Sequence, residues 1–171
     1  MATVPKYVQA LPAEHLRNLI SSSAAFQAWV GAANESAALS WIFYADVPTI
    51  PANGIFVCIG PPQDEEDSFR LTSRGAPNDY AVAGRLHFVV RAKRTTTDSI
   101  ADQVLAFWNA IGLMVEQWVA NSGTTGANGA RLAFTELHCT GPLWSHEDED
   151  VDEDPYIVAF YTVFYEAGVV S

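Results

Sequence analysis

The residues whose types and spacing best fit a chemical site are Glu136 and His138, followed by His146. Glu136 and His138 are two positions apart in an apolar stretch, so on a strand both side chains would project from the same face. A seven-residue set of acids comes next and offers carboxylate oxygens, the ligands of a hard cation such as Ca²⁺. It consists of Glu147, Asp148, Glu149, Asp150, Asp152, Glu153 and Asp154.

An EF-hand calcium loop places its ligands at alternate positions and requires a glycine at its sharp turn. Residues 147–154 contain no glycine. Blocks of like charge are usually solvated, so we interpret this segment as an acidic loop. We expect no metal and no other cofactor.

Motifs of common enzymes are missing from the sequence. It contains neither Gly-x-Ser-x-Gly nor His-Glu-x-x-His, the patterns of α/β-hydrolases and zinc peptidases. The Gly-rich segment 123–129 follows an apparent helix and precedes a strand, which is the reverse order of a phosphate-binding loop. We interpret it as a linker and predict that the chain is not an enzyme. The alternative is a small cytoplasmic enzyme whose site is assembled from scattered polar residues.

The basic residues show a pattern of their own, because six of the nine lie between residues 68 and 94. Within the predicted strand, alternate positions carry positive charge and would form a stripe of roughly 27 Å at about 3.4 Å per residue. Such a stripe is either a solvated sheet face or a surface that meets the acidic loops of a neighbouring copy. On the second interpretation the subunit interface contains Arg85, Arg91, Lys93 and Arg94.

The composition places these charged segments on an otherwise neutral body. The 171 residues include 20 acids and 9 bases, a net charge of −11, and 11 of the acids fall in residues 64–67 and 147–154. The rest of the chain has nine acids and nine bases. An overall basic nucleic-acid-binding protein is therefore excluded, and a hydrophobic content of 49% excludes intrinsic disorder. The length predicts a single domain, 1–171.

Three further expectations concern the environment of the chain. No run approaches the ~20 apolar residues of a membrane helix, and residues 1–10 lack the pattern of a signal peptide, so we expect a protein made in the cytoplasm and no membrane partner. Cys58 and Cys139 lie in apolar extended stretches and are expected to be buried, reduced thiols. His15, between charged neighbours, is expected at the surface.

Hydrophobic periodicity predicts an α+β fold, with a mainly antiparallel sheet of four to five strands and two helices packed on it. The helices are expected from Pro12 to Gly31 or Asn34, and from Ile100 to Trp118 after a cap at Thr97 or Asp98. Acidic loops are expected at 61–79 and 145–155. The expected strands are 41–45, 55–59, 80–94, 131–139 and 156–166, the last with two apolar faces and hence central in the sheet.

This order of elements resembles the tail terminator proteins of long-tailed bacteriophages over about residues 12–167. The resemblance is carried by the amphipathic first helix, the apolar strand Ile55-Phe-Val-Cys-Ile59, the strand through Leu86-His-Phe-Val-Val90, the helix Ile100 to Trp118 and two closing strands. It is a similarity of organisation, without a diagnostic motif. The acidic run before Pro155 departs from the pattern.

The resemblance implies a structural virion protein that forms a hexameric ring on the end of the tail tube. Such a ring stops tube polymerisation and provides the surface to which the filled head attaches. The implied partners are other copies of the chain, the tail tube protein and a head-completion or connector protein. The implied location is the tail or neck of the virion, and the host cytoplasm during assembly. Another neck, tail-completion or head-closure protein is the alternative within the same class.

The acidic runs would have a physical role in such a ring. DNA passes through the tail lumen without specific binding, and acidic loops facing the channel would repel its phosphates. We therefore predict that one acidic run, residues 147–154, faces the lumen. A competing hypothesis places the same loop against a basic patch on the tube or the head connector.

Overall fold

The computed structural model describes residues 11–44, 49, 51–52, 54–60, 69–73, 79–93, 98–120, 123–125, 131–145 and 156–170. Its helices are α1 (Leu11–Ser22), α2 (Ala24–Val30), α3 (Glu35–Ala38), a 3₁₀ turn (Leu39–Trp41) and α4 (Ile100–Ala120). Its strands are β1 (Ile42–Tyr44), β2 (Phe56–Gly60), β3 (Phe69–Ser73), β4 (Asp79–Lys93), β5 (Gly123–Thr125), β6 (Arg131–Ser145) and β7 (Tyr156–Val170).

The predicted first helix is divided in two by Ser23. The Ser23 backbone is extended, and its side-chain oxygen accepts a hydrogen bond from the Phe26 backbone N–H, which makes Ser23 the N-cap of α2. Gly31 ends α2 in the left-handed conformation, at φ 73°. The predicted end at Gly31 is thus confirmed. The expectation of one continuous helix was wrong, because the local Ser23 cap outweighs the apolar periodicity that continues from α1 into α2.

The strands form one sheet in the order β1-β2-β4-β7-β6-β5, and β3 pairs with the remaining part of β4. Only the β1–β2 pair is parallel among the described strands. β7 pairs with β4 along all of its length, from Lys93↔Tyr156 to Asp79↔Val170, and with β6 on its other side. The predicted α+β class, the mainly antiparallel sheet and the central position of the last strand are confirmed.

The sheet is larger than predicted, because seven strands are described where four or five were expected. β3 lies within the predicted loop 61–79, and the Gly-rich segment begins with β5, so both assignments as wholly irregular were wrong. Both strands contain strand-forming residues, such as Phe69 in β3 and Thr124 in β5, but each is too short to show a period of two. β6 reaches Ser145 and thus enters the predicted loop 145–155, through register shifts at Phe134/Glu136 and Thr140/Leu143.

All long helices contribute to a core on one face of the sheet, which we call the inner face. Alternate residues of β2, β4 and β7 point into this core, as the period of a strand requires. α1, α2 and α4 cover them with apolar side chains, and Trp29 of α2 meets Phe107 of α4 edge to face at 5.5 Å. The buried sheet residues are Val57, Ile59, Phe88, Val90, Ala92, Ile157, Ala159, Tyr161 and Val163.

α4 begins at Ile100, as predicted, but its N-cap is Ser99 and not Thr97 or Asp98. The Ser99 hydroxyl donates to the Asp102 carboxylate at 2.6 Å and accepts from the Asp102 backbone N–H at 3.2 Å, a reciprocal capping arrangement. No helix among the described residues combines the length and apolar character needed to cross a membrane.

Two predictions about single side chains were wrong. His15 is buried, because its ring stacks on Phe134 of β6 with centroids 5.2 Å apart. Cys139 is exposed and Cys58 is half-buried, and both are free thiols. The burial of His15 depends on a contact between α1 and β6, which are more than 100 residues apart. The exposure of the two cysteines depends on which strands of the sheet the helices cover.

Candidate functional site

The face of the sheet opposite the helices carries the charged and polar residues singled out in the sequence, and we call it the open face. Most of its described side chains are exposed or half-buried, whereas Phe56 and Val158 are buried. By register and alternation it contains Phe56, Cys58 and Gly60 of β2, Arg85, His87, Val89, Arg91 and Lys93 of β4, Tyr156, Val158, Phe160, Thr162, Phe164 and Glu166 of β7, and Glu136, His138 and Thr140 of β6.

One end of the open face is an aromatic cluster beneath a positive charge. Phe56 contacts Phe43 and Tyr156 edge to face, at 6.2 and 6.3 Å between ring centroids. The Arg91 guanidinium lies 5.8 Å from the centroid of Phe56, a cation–π arrangement. Arg91 nevertheless remains exposed, so this end of the sheet presents a cation fixed over an apolar base.

The middle of the open face is a polar row across three strands. His138 of β6, Thr162 of β7 and His87 of β4 are in register with one another. The Thr162 hydroxyl and His87 Nδ1 lie 2.9 Å apart, a hydrogen bond whose donor depends on the imidazole tautomer. His138 pairs through Nε2 with Glu136, as their positions on one strand face predicted, and its ring meets Phe164 at 5.1 Å.

This row does not form a metal site or a convincing catalytic site. The part of the chain that the structure describes contains no group of three or more His, Cys, Asp or Glu residues arranged to hold a metal ion. A hydroxyl–imidazole pair is a component of nucleophilic catalysis. Here the Thr162–His87 pair lies on an open face. Glu136 and His138 are each 59% exposed, so solvent weakens the interaction between them. We interpret the row as cross-strand packing.

The predicted basic stripe exists in part. Arg85, Arg91 and Lys93 all lie on the open face of β4; Arg91 and Lys93 are exposed, and Arg85 is half-buried. Glu136 and Glu166 lie on the same face near Arg85, so the Arg91–Lys93 end is the more positive one. Arg94, His146 and the acidic residues 147–154 lie outside the described residues.

A second exposed surface lies on α4, and the sequence analysis predicted the helix but not this surface. The helix predicted from Ile100 to Trp118 has one buried side, which contains Phe107, Ala110, Ile111 and Met114. The opposite side of the helix also carries large apolar side chains, which lie beside exposed Asn109 and remain uncovered. Leu105, Trp108 and Leu113 are 59%, 39% and 52% exposed, with Gly112 between them.

Two buried tyrosines on the inner face give the fold a pH dependence. Burial raises the pKa of the Tyr161 phenol well above its usual value of 10.0, and the neighbouring Cys139 thiol adds to the rise. Burial also raises the pKa of Tyr165. The native state therefore keeps these protons at pH values where the unfolded chain has lost them.

We expect the free energy of unfolding to be unaffected by these groups below pH 10 and to fall above it. The slope is at most about 1.4 kcal/mol per pH unit for each tyrosine. Urea unfolding at a series of pH values measures it, and Tyr161→Phe should make the decline shallower. An equally steep decline in that variant would show that Tyr161 does not retain its proton.

Comparison of the chain with known protein families and with curated proteins found no match in either case. The open face and the exposed side of α4 are therefore the features of the molecule that indicate a function.

Proposed function

We propose that the chain is a structural virion protein of the phage tail terminator type, which forms a ring on the tail tube, ends tube polymerisation and provides the attachment surface for the head. The resemblance in element order suggests this type of protein, and the α+β fold agrees with it. The observation that carries the proposal is the exposed side of α4, where Leu105, Trp108 and Leu113 are open to contact with another protein.

The composition of α4 supports an assembly role. Its 21 residues include two acids, Asp102 and Glu116, and no lysine or arginine. Most of its other residues are apolar, and a helix with so many apolar residues is normally largely buried. This one exposes three large apolar side chains, and contiguous exposed apolar patches mark sites of protein contact.

The proposed ring also gives the acidic residues 147–154 a role. Seven carboxylates repeated around a channel would repel DNA phosphates and let the genome pass without binding. The proposed partners are the tail tube protein on one side of the ring and a head-completion or connector protein on the other.

Inactivating the gene in the phage genome that encodes it tests the function. We expect filled heads and separate tails that do not join, with tubes of irregular length, in electron micrographs. Expression of the wild-type chain in trans should restore whole particles. Replacing residues 147–154 by Asn and Gln should then permit joining but impair DNA ejection. Normal particles without the gene product would contradict the proposal.

A further inference from the structure

The exposed side of α4 has a defined chemical layout. Leu105, Trp108 and Leu113 occupy its middle, and Asp102 and Glu116 lie towards its two ends. The two acids are separated by 14 residues, which is about 21 Å along a helix that rises 1.5 Å per residue. Asp102 is engaged in the Ser99 cap, whereas Glu116 is an exposed acid in the last turns.

The open face has the complementary layout. Between Arg85 and Arg91 it carries the polar Thr162–His87 pair and, next to that pair, half-buried Val89 of β4 beside Phe160 of β7, which is 38% exposed. The two arginines lie on either side of these residues. The arginines are six positions apart on one strand, about 20 Å at 3.4 Å per residue. The acids of α4 and the arginines of β4 therefore have nearly the same spacing, and in each case large apolar side chains lie between the two charges.

From this match we propose that α4 of one copy packs along the open face of the next copy, with Glu116 opposite Arg91. Glu116 is placed at the Arg91 end because Lys93 adds a second positive charge there, whereas the acids Glu136 and Glu166 lie near Arg85. The inference rests on the proposed function, since a ring is built by repeating one contact between neighbours. A contact between two different faces is heterologous and closes into a ring when its rotation permits.

Addition of strands between copies is the competing arrangement, and the structure disfavours it at the long outer edge of β6. Beyond Ala133, the outer edge of β6 has no strand partner among the described residues. Two register shifts interrupt β6, and Pro142 removes a backbone donor from it. Such features block edge-to-edge pairing. The uncovered helix and the open sheet face remain the complementary pair.

A charge exchange in the full-length chain tests the contact. Sedimentation velocity over a wide range of concentrations should show self-association of the wild type. Glu116→Arg and Arg91→Glu should each weaken it about tenfold or more, as expected for a close charge pair across an interface. The double variant should recover most of the loss. Glu35→Arg, the same charge change at an exposed site on α3, should have no effect.

Because Arg91 covers Phe56, the exchange should be repeated with Lys93→Glu, and thermal unfolding should verify that each variant folds. A wild type that stays monomeric, single variants that associate normally, or a double variant without recovery would each overturn the proposed contact. Its failure is distinguishable from failure of the proposed function. The gene inactivation experiment does not depend on which faces meet, and self-association of the purified chain does not depend on a phage.

Discussion

Phe88→Ala is expected to lower the free energy of unfolding by about 3–5 kcal/mol, the usual cost of deleting a buried phenyl ring. Phe88 is 1% exposed and stacks on Tyr161 of the neighbouring strand, with centroids 4.7 Å apart and planes 10° apart. It therefore lies where β4, β7 and the helical layer meet. The cavity left by alanine could not be filled without moving central strands.

Equilibrium unfolding in urea measures this loss. Val89→Ala is the matched control, because Val89 is the next residue of the same strand, on the half-exposed open face. We expect a clearly smaller loss for Val89→Ala. If the two variants lost equal stability, the assignment of the inner face as the core would be wrong.

Lysine at both Leu105 and Leu113 is expected to abolish self-association and leave the fold almost unchanged. These two leucines are more than half exposed, and lysine has nearly the same helix propensity as leucine. The free energy of unfolding of the monomer should therefore change by less than about 0.5 kcal/mol. In an interface, by contrast, the two ammonium groups would have to be desolvated without a partner.

Light scattering gives the mass of the double variant, and urea unfolding gives its stability. Ala28→Lys, at an exposed position of α2, is the control and should keep the mass of the wild type. An unchanged mass in the Leu105/Leu113 variant would remove α4 from the interface. A loss of several kcal/mol would show instead that the two leucines belong to the core.

Where hydrophobic periodicity was strong, the sequence predicted the fold well. The alternation of Leu86, Phe88 and Val90 with charged residues identified β4 and its inner face, and the two apolar faces of 156–166 placed β7 in the centre of the sheet. These signals are local, because each strand shows in its own residues which face meets the core.

The missed elements depend on distant partners. β3 and β5 are too short to show a strand periodicity of their own and are held by ladders to β4 and β6. The register shifts in β6 break the period of two, so its pattern predicted an end at Cys139 although pairing continues to Ser145. His15 has charged neighbours in sequence, and only its contact with Phe134 explains its burial.

The candidate interface was predictable only in part, for a related reason. Alternation on β4 placed Arg85, Arg91 and Lys93 on one face, and the structure agrees. The exposed leucines of α4 could not be separated from core residues, because a large apolar side chain has the same identity whether it packs inside one chain or between two. Three-dimensional exposure was needed to separate the two stripes of that helix.

The central position of β7 affects how the protein is made. β7 pairs with β4 along its whole length, yet β4 emerges from the ribosome more than 60 residues before β7. Until then, the inner face of β4 lacks the partner that completes its core. Contacts of such large sequence separation form slowly, because a long loop must close before they can stabilise the chain. β4 therefore completes its pairing only after β7 has been synthesised, so the full core around Phe88 and Val90 forms late in synthesis.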